Sequence, residues 1–90
     1  MLVLPARLTA REARDTQRLL VQALGSEPAG EPVVVDARPL AELDTSAVAV
    51  LLELQRRSAA ERRTFRIQAA PQKLQALARL YGVDAILLPA

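Results

Sequence analysis

Three small polar residues, Asp44, Thr45 and Ser46, stand directly before the most apolar stretch of the chain, residues 47–52. That stretch predicts a buried helix, so the three polar residues would lie at its N-terminus. The N–H groups of a first helical turn have no partner within the helix, and the helix dipole favours negative charge there. A phosphate on Thr45 or Ser46 would meet those donors beside the Asp44 carboxylate. The alternative is that these residues only cap the helix.

Two carboxylates, Asp36 and Asp44, flank one connection that follows the apolar run 33–35. Paired carboxylates bind Mg²⁺ or transfer protons in many proteins. The simpler interpretation, which we prefer, is that Asp36 orders a turn and Asp44 caps the following helix.

Composition argues against most catalytic and cofactor-binding classes. The chain has no histidine and no cysteine, which removes the commonest general base and the commonest metal ligands. Its serines therefore lack the usual histidine partner of a nucleophile. Its three glycines, Gly25, Gly30 and Gly82, are not spaced for a nucleotide-binding loop. We therefore expect a protein without catalytic activity, cofactor or bound metal.

The charge and aromatic content argue against nucleic acid as a partner. Twelve basic and ten acidic residues give a net charge of +2, too small to indicate nucleic-acid binding. Phe65 and Tyr81 are the only aromatic residues, too few for a base-stacking surface. Tyr81 is predicted to be a core residue with its hydroxyl at the rim.

A basic cluster has two interpretations: an anionic-lipid or nucleic-acid site, or a solvated face. We prefer the second, because Glu53 and Arg57 form a favourable i,i+4 pair that Glu61 extends. The cluster comprises Arg56, Arg57, Arg62, Arg63 and Arg66.

The alternation of apolar and polar segments predicts a small α/β fold with mostly parallel strands. Residues 47–52 are the longest apolar run, far short of the ~20 residues of a membrane span. The first residues lack the positive charge of a signal peptide. We therefore expect residues 1–90 to form a single cytoplasmic domain.

The predicted elements comprise a mixed or mostly parallel four-stranded sheet and about three helices. Val33, Val34 and Val35 read as a strand covered on both faces. Further strands are predicted at 2–4 and 64–68, with residues 7–8 as the continuation of the first or the return of a hairpin, and with 86–88 as a final strand or packed tail. Three helices are predicted: one from a Thr9–Glu12 capping box to near Leu24 with Gly25 as its stop, one after Asp44, and one from Pro71 to Gly82. The buried stripe of the third helix comprises Leu74, Leu77, Ala78 and Tyr81.

The order of these elements, with the strand 33–36 followed by Leu43-Asp44-Thr45-Ser46-Ala47 and an apolar helix, resembles the STAS domain family. The stretch from Leu77 to Val83 and the closing Leu87-Leu88-Pro89 are similar to its MlaB-like branch. Ala47 departs from the family pattern, which has glycine there, and would leave less room for a partner's backbone.

The resemblance implies a non-catalytic subunit that binds and regulates an MlaF-like ATPase of a phospholipid-trafficking ABC transporter, at the inner membrane through that partner. It implies that Thr45 is the key interface hydroxyl. Ser46 would be the phosphoacceptor if the chain had the alternative function of an anti-sigma-factor antagonist. The implied partner-binding surface comprises Arg38, Leu40, Glu42, Asp44, Thr45, Ser46 and Val48.

Overall fold

The computed structural model describes residues 1–89. Its strands are β1 (Leu2–Val3), β2 (Arg7–Leu8), β3 (Val33–Asp36), β4 (Glu42–Leu43) and β5 (Phe65–Gln68). Its helices are α1 (Ala13–Ser26), α2 (Thr45–Ala60), α3 (Gln72–Leu80) and α4 (Asp84–Leu87). The predicted small α/β fold with parallel strands is confirmed.

The strands of residues 1–89 form two parallel sheets, where the sequence predicted a single sheet of four strands. The larger sheet has the order β1-β3-β5, and Leu2, Val35 and Ile67 lie side by side across it. The smaller sheet pairs β2 with β4, so β2 neither continues β1 nor returns against it as a hairpin. The pairing also buries Leu8 and Leu43 against the core, which explains why β2 leaves β1.

The helices cover one face of the larger sheet. Val33 and Val35 are fully buried on that face, whereas Val34 is half-buried and Arg66 is exposed on the other. Successive right-handed crossovers that proceed in one direction across a sheet place their helices on the same side. The prediction that the run 33–35 is covered on both faces is therefore wrong for Val34.

Helix α2 is the centre of the core. It packs against α1, α3, α4 and β5. Its inner side buries Leu51 and Leu54 completely, and each such leucine contributes about 1.5–3 kcal/mol of transfer free energy. The hydroxyl of Ser58, also fully buried, donates to the Leu54 carbonyl at 2.8 Å. The middle and last turns of α2 are thus anchored in the core.

Helix α1 begins and ends later than predicted. Glu12 does accept from the Thr9 N–H at 2.9 Å, but the Thr9 hydroxyl donates to the same carboxylate, and the helix begins at Ala13. At the other end the helix passes through Gly25 to Ser26. By contrast, Gly82 has φ +71° directly after α3, so its predicted role as the stop of that helix is confirmed.

The segment 84–87 is a short helix, so no final strand forms there, and the burial of Leu87 agrees with the predicted packed tail. The Val83 carbonyl accepts from the N–H groups of Ile86 and Leu87 at 3.1 and 2.9 Å, which closes a helical turn. Leu87 is fully buried against α2, α3 and β5, whereas Ile86 is exposed. The turn at Gly82 thus produces α4 by directing the chain back over the core.

The basic cluster is not one solvated face, because the Arg63 side chain is only 1% exposed. It donates to the Glu27 carboxylate at 3.2 Å and to the Glu31 carbonyl at 2.7 Å, which fixes the connection after α1. Glu53 accepts from Arg57 at 2.7 Å, as predicted, and from Arg56 at 2.6 Å. Glu61 pairs with Arg63 at 3.3 Å and so does not extend the Glu53–Arg57 pair.

Candidate functional site

The N-terminus of α2 is capped by Asp44, as the sequence predicted. Asp44 has extended backbone angles, and its Oδ1 accepts from the Ser46 N–H at 2.8 Å. Its carbonyl accepts from the Ala47 N–H at 3.0 Å. Thr45 is therefore the first residue of the helix, held between two fixed neighbours.

The second oxygen of Asp44 contacts a different segment. Its Oδ2 accepts from the Ala10 N–H at 3.1 Å, in the turn that precedes α1. These two backbone hydrogen bonds, the Ser46 bond above all, lower the pKa of the Asp44 carboxyl below its ordinary value. The group is therefore a carboxylate at neutral pH.

Asp36 has partners of its own, which supports its predicted role as a turn residue. Its Oδ1 accepts from the backbone N–H of Arg38 at 3.0 Å and from the Arg38 Nε at 3.3 Å. The backbone bond is the main cause of the lowered pKa of Asp36. Among residues 1–89, no cluster of three or more acidic side chains is arranged to hold a metal ion. The geometry thus gives no support to a carboxylate-pair metal site.

The residues proposed from the sequence differ in exposure. Thr45, Arg38 and Glu42 are exposed, and Ser46 is half-buried. Leu40 and Val48 are only 4% and 5% exposed. Leu40 therefore belongs to the core, and its side chain offers almost no surface for contact with a partner.

Ala47 is fully buried, with its methyl group in the core. The expectation that this alanine would leave less room for a partner's backbone is therefore not supported. The exposed small residue on the early turns of α2 is Ala49.

A shallow groove of about 410 Å³ lies between α2 and the turn after α3. Thr45 lies among its lining residues, and Tyr81 and Val83 line it from the turn. Tyr81 is 57% exposed, so the prediction that it is a core residue is wrong. It is the C-cap residue of α3, directly before Gly82, and its N–H still donates to the Leu77 carbonyl at 3.0 Å. We call this feature the α2 groove; it comprises Thr45, Val48, Ala49, Leu52, Tyr81 and Val83.

Two residues that line the groove, Thr45 and Val48, belong to the partner-binding surface that the family resemblance implied. Ala49 and Leu52, also on α2, were not part of that prediction. Tyr81 and Val83 were not among the predicted contacts, although the adjacent Gly82 was read as a helix stop. A tyrosine directly before the stop glycine was the available signal.

In the part of the chain that the structure covers, no helix is both long enough and apolar enough to cross a membrane.

A single layer of helices on a parallel sheet, with a capped and partly exposed helix start, defines a small α/β domain. Comparison with known families is more specific. The chain matches the family described as "Mlab, STAS domain" over residues 1–89. It therefore belongs to the STAS domain family, in its MlaB-like branch. STAS domains are in general binding domains without catalytic activity, and a regulatory or interaction role follows.

Comparison with curated proteins gave no match, and comparison with solved structures gave none either.

Proposed function

We propose that this protein is a non-catalytic cytoplasmic subunit that binds and regulates the ATPase of an Mla-type phospholipid transporter. The MlaB-like family match supports this assignment over the anti-sigma-factor antagonist, which no observation favours. Its place would be at the inner membrane through the ATPase, with no insertion of its own.

We propose the α2 groove and the helix start beside it as the docking surface. The observation that carries this proposal is that exposed Thr45 lies at the edge of an apolar groove completed by Tyr81. Interface centres are enriched in tyrosine and depleted of charge, and no charged residue lines this groove. Small side chains at Thr45 and Ala49 would allow a partner to approach the helix closely.

The exposed polar residues beside the groove would form the rim. Glu42 accepts from Arg7 at 3.1 Å, and Arg38 lies at 3.3 Å from Asp36. Exposed pairs of this kind contribute little free energy, so they would set orientation and the rate of encounter. Ser46, half-buried beside Asp44, would act by fixing the helix start.

Regulation would follow if the domain bound one ATPase conformation more tightly than another. A bound subunit shifts a conformational equilibrium only by its difference in affinity for the two states. A rigid docking surface suits this role, because Ala47 and Leu51 hold α2 within the core. The proposed subunit would act without chemistry of its own.

The test is the affinity of the purified ABC ATPase for the native chain and for Thr45→Glu, measured by calorimetry. A charged, larger side chain at the groove edge should weaken binding by about tenfold or more, because it clashes and is desolvated. Ala23→Glu is the matched control, since Ala23 is an exposed small residue on α1 and receives the same charge. Equal affinity of the native and Thr45→Glu proteins for the ATPase would contradict the proposed docking surface.

A further inference from the structure

Asp44 holds two separate segments of the chain with one carboxylate. Oδ1 accepts from the Ser46 N–H at 2.8 Å, at the start of α2. Oδ2 accepts from the Ala10 N–H at 3.1 Å, in the turn before α1. We infer that Asp44 is a positioning residue that couples the turn 9–12 to the α2 groove, an inference that rests on the proposed function.

Capping alone does not require a carboxylate at this position. Serine and asparagine cap helices about as well as aspartate, because one acceptor oxygen suffices. Aspartate differs from both in having a second acceptor oxygen that is free for another donor. In Asp44 that second oxygen is directed at Ala10. The residue type therefore fits the bridge as well as the cap.

The two segments leave the smaller sheet together. Leu8 pairs with Leu43 at the end of the β2–β4 ladder, and Asp44 is the first residue after β4. The Asp44–Ala10 hydrogen bond thus extends the contact between these two segments by one residue beyond the strands. Without it, the turn and the start of α2 would diverge directly after Leu8 and Leu43.

The turn 9–12 is also fixed internally, so holding Ala10 holds the whole turn. The Thr9 carbonyl accepts from the N–H groups of Glu12 and Ala13 at 3.1 and 3.0 Å. Glu12 accepts from Thr9 at 2.9 Å in return, and hydrogen bonds from the Thr9 side chain and backbone lower the pKa of Glu12. Ala10 and Arg11 are exposed on this turn. The bridge therefore places a second exposed segment beside the groove edge.

Amide hydrogen exchange tests the bridge without any partner. The variant Asp44→Asn keeps the size and the cap but replaces one acceptor by a donor. We expect the Ala10 amide to exchange about 3- to 10-fold faster, with the Ser46 amide within about twofold of the native rate. Faster exchange at both amides would show simple fraying of α2 and overturn the inference, and an unchanged Ala10 amide would overturn it as well.

A double-mutant cycle tests the link to docking with the same purified ATPase. Ala10→Pro removes the N–H donor and leaves the carboxylate intact. Asp44→Asn and Ala10→Pro should each weaken binding about 3- to 10-fold, and the double variant should bind no more weakly than either single one. Effects that multiply would overturn the coupling. If Ala10→Pro does not fold, the binding and exchange of Asp44→Asn decide.

The outcomes separate the two proposals. If Thr45→Glu weakens binding and Asp44→Asn does not, the inference fails and the docking surface stands. If neither variant changes the affinity, the proposed docking surface fails as well, and if the native chain does not bind the ATPase at all, the proposed function fails. Loss of binding by Asp44→Asn with an unchanged melting temperature supports positioning, since a purely structural role would lower both together.

Discussion

Thr45, the first residue of α2, and Tyr81, the C-cap of α3, line the same groove although almost half the chain separates them. Each is placed by its own local device. Asp44 fixes Thr45 through the cap, and the left-handed Gly82 fixes the turn that carries Tyr81. Packing of α2 on α3 then brings the two together.

Replacing Tyr81 by alanine should weaken ATPase binding by about 5- to 30-fold, because exposed aromatic side chains at interface centres act as anchors. The melting temperature should change little, since the side chain is 57% exposed. Leu80→Ala is the control: Leu80 is 74% exposed and adjacent, but it does not line the groove. Calorimetry measures the ATPase affinity of both variants. Equal losses of affinity would contradict a specific role of the α2 groove in binding.

Replacing Arg63 by methionine should destabilise the fold by about 1–3 kcal/mol, because buried hydrogen bonds from its guanidinium are lost. Glu27 loses Arg63 as a partner but keeps the N-terminal ammonium at 2.6 Å. The loss also leaves the Glu31 carbonyl without the Arg63 donor at 2.7 Å. Urea unfolding measures the effect, with Arg66→Met as the exposed control, expected within about 0.5 kcal/mol of the native protein. Equal stability of the two variants would argue against the buried role of Arg63.

Stability should fall in acid as Glu53 is protonated. Hydrogen bonds from Arg56 and then Arg57 lower the pKa of the Glu53 carboxyl from 4.5 to about 2. Between these values the unfolded chain binds more protons, so stability rises with pH there. The contribution of Glu53 is complete above pH 4.5 and is lost as the pH falls towards about 2.

Melting temperatures of the native protein and of Glu53→Gln, measured from neutral pH down to about pH 2, test this loss of stability in acid. The range ends there because the pKa of Glu53 is about 2. The variant should have a lower melting temperature at neutral pH and a shallower fall in acid. Asp15→Asn, which changes an exposed carboxylate on α1, should keep the native slope. A Glu53→Gln curve parallel to the native one would contradict the assignment.

The helix start at Asp44 and the stop at Gly82 were predictable from sequence because both depend on local chemistry. A cap needs one side-chain acceptor beside the first amides of the helix, and a left-handed turn favours glycine, which has no Cβ. The strand Phe65–Gln68 was similarly indicated by its alternating pattern.

Long-range contacts were not predictable in the same way. Strands of two residues, such as β2 and β4, have too little pattern to show their partner, and their pairing depends on burial of Leu8 and Leu43. Arg63 looked like part of a solvated charge run, because its partners at Glu27 and Glu31 are distant in the sequence. Tyr81 followed the apolar spacing of α3, but that spacing does not show whether another element covers the end of the helix.

The two glycines at helix ends should respond to alanine in opposite ways. Gly82 has φ +71°, and a Cβ there would meet nothing within 4 Å, so Gly82→Ala is costly only through backbone strain, about 1 kcal/mol. Gly25 lies inside α1 with equally open space, so Gly25→Ala should stabilise the protein by about 0.5–1 kcal/mol. Urea unfolding of the pair measures both effects. Because the Gly82 turn carries Tyr81, Gly82→Ala should also weaken ATPase binding, whereas Gly25→Ala should not. Stabilisation by both substitutions would show that the turn after α3 tolerates another conformation, and the placement of Tyr81 in the α2 groove would then lose its physical basis.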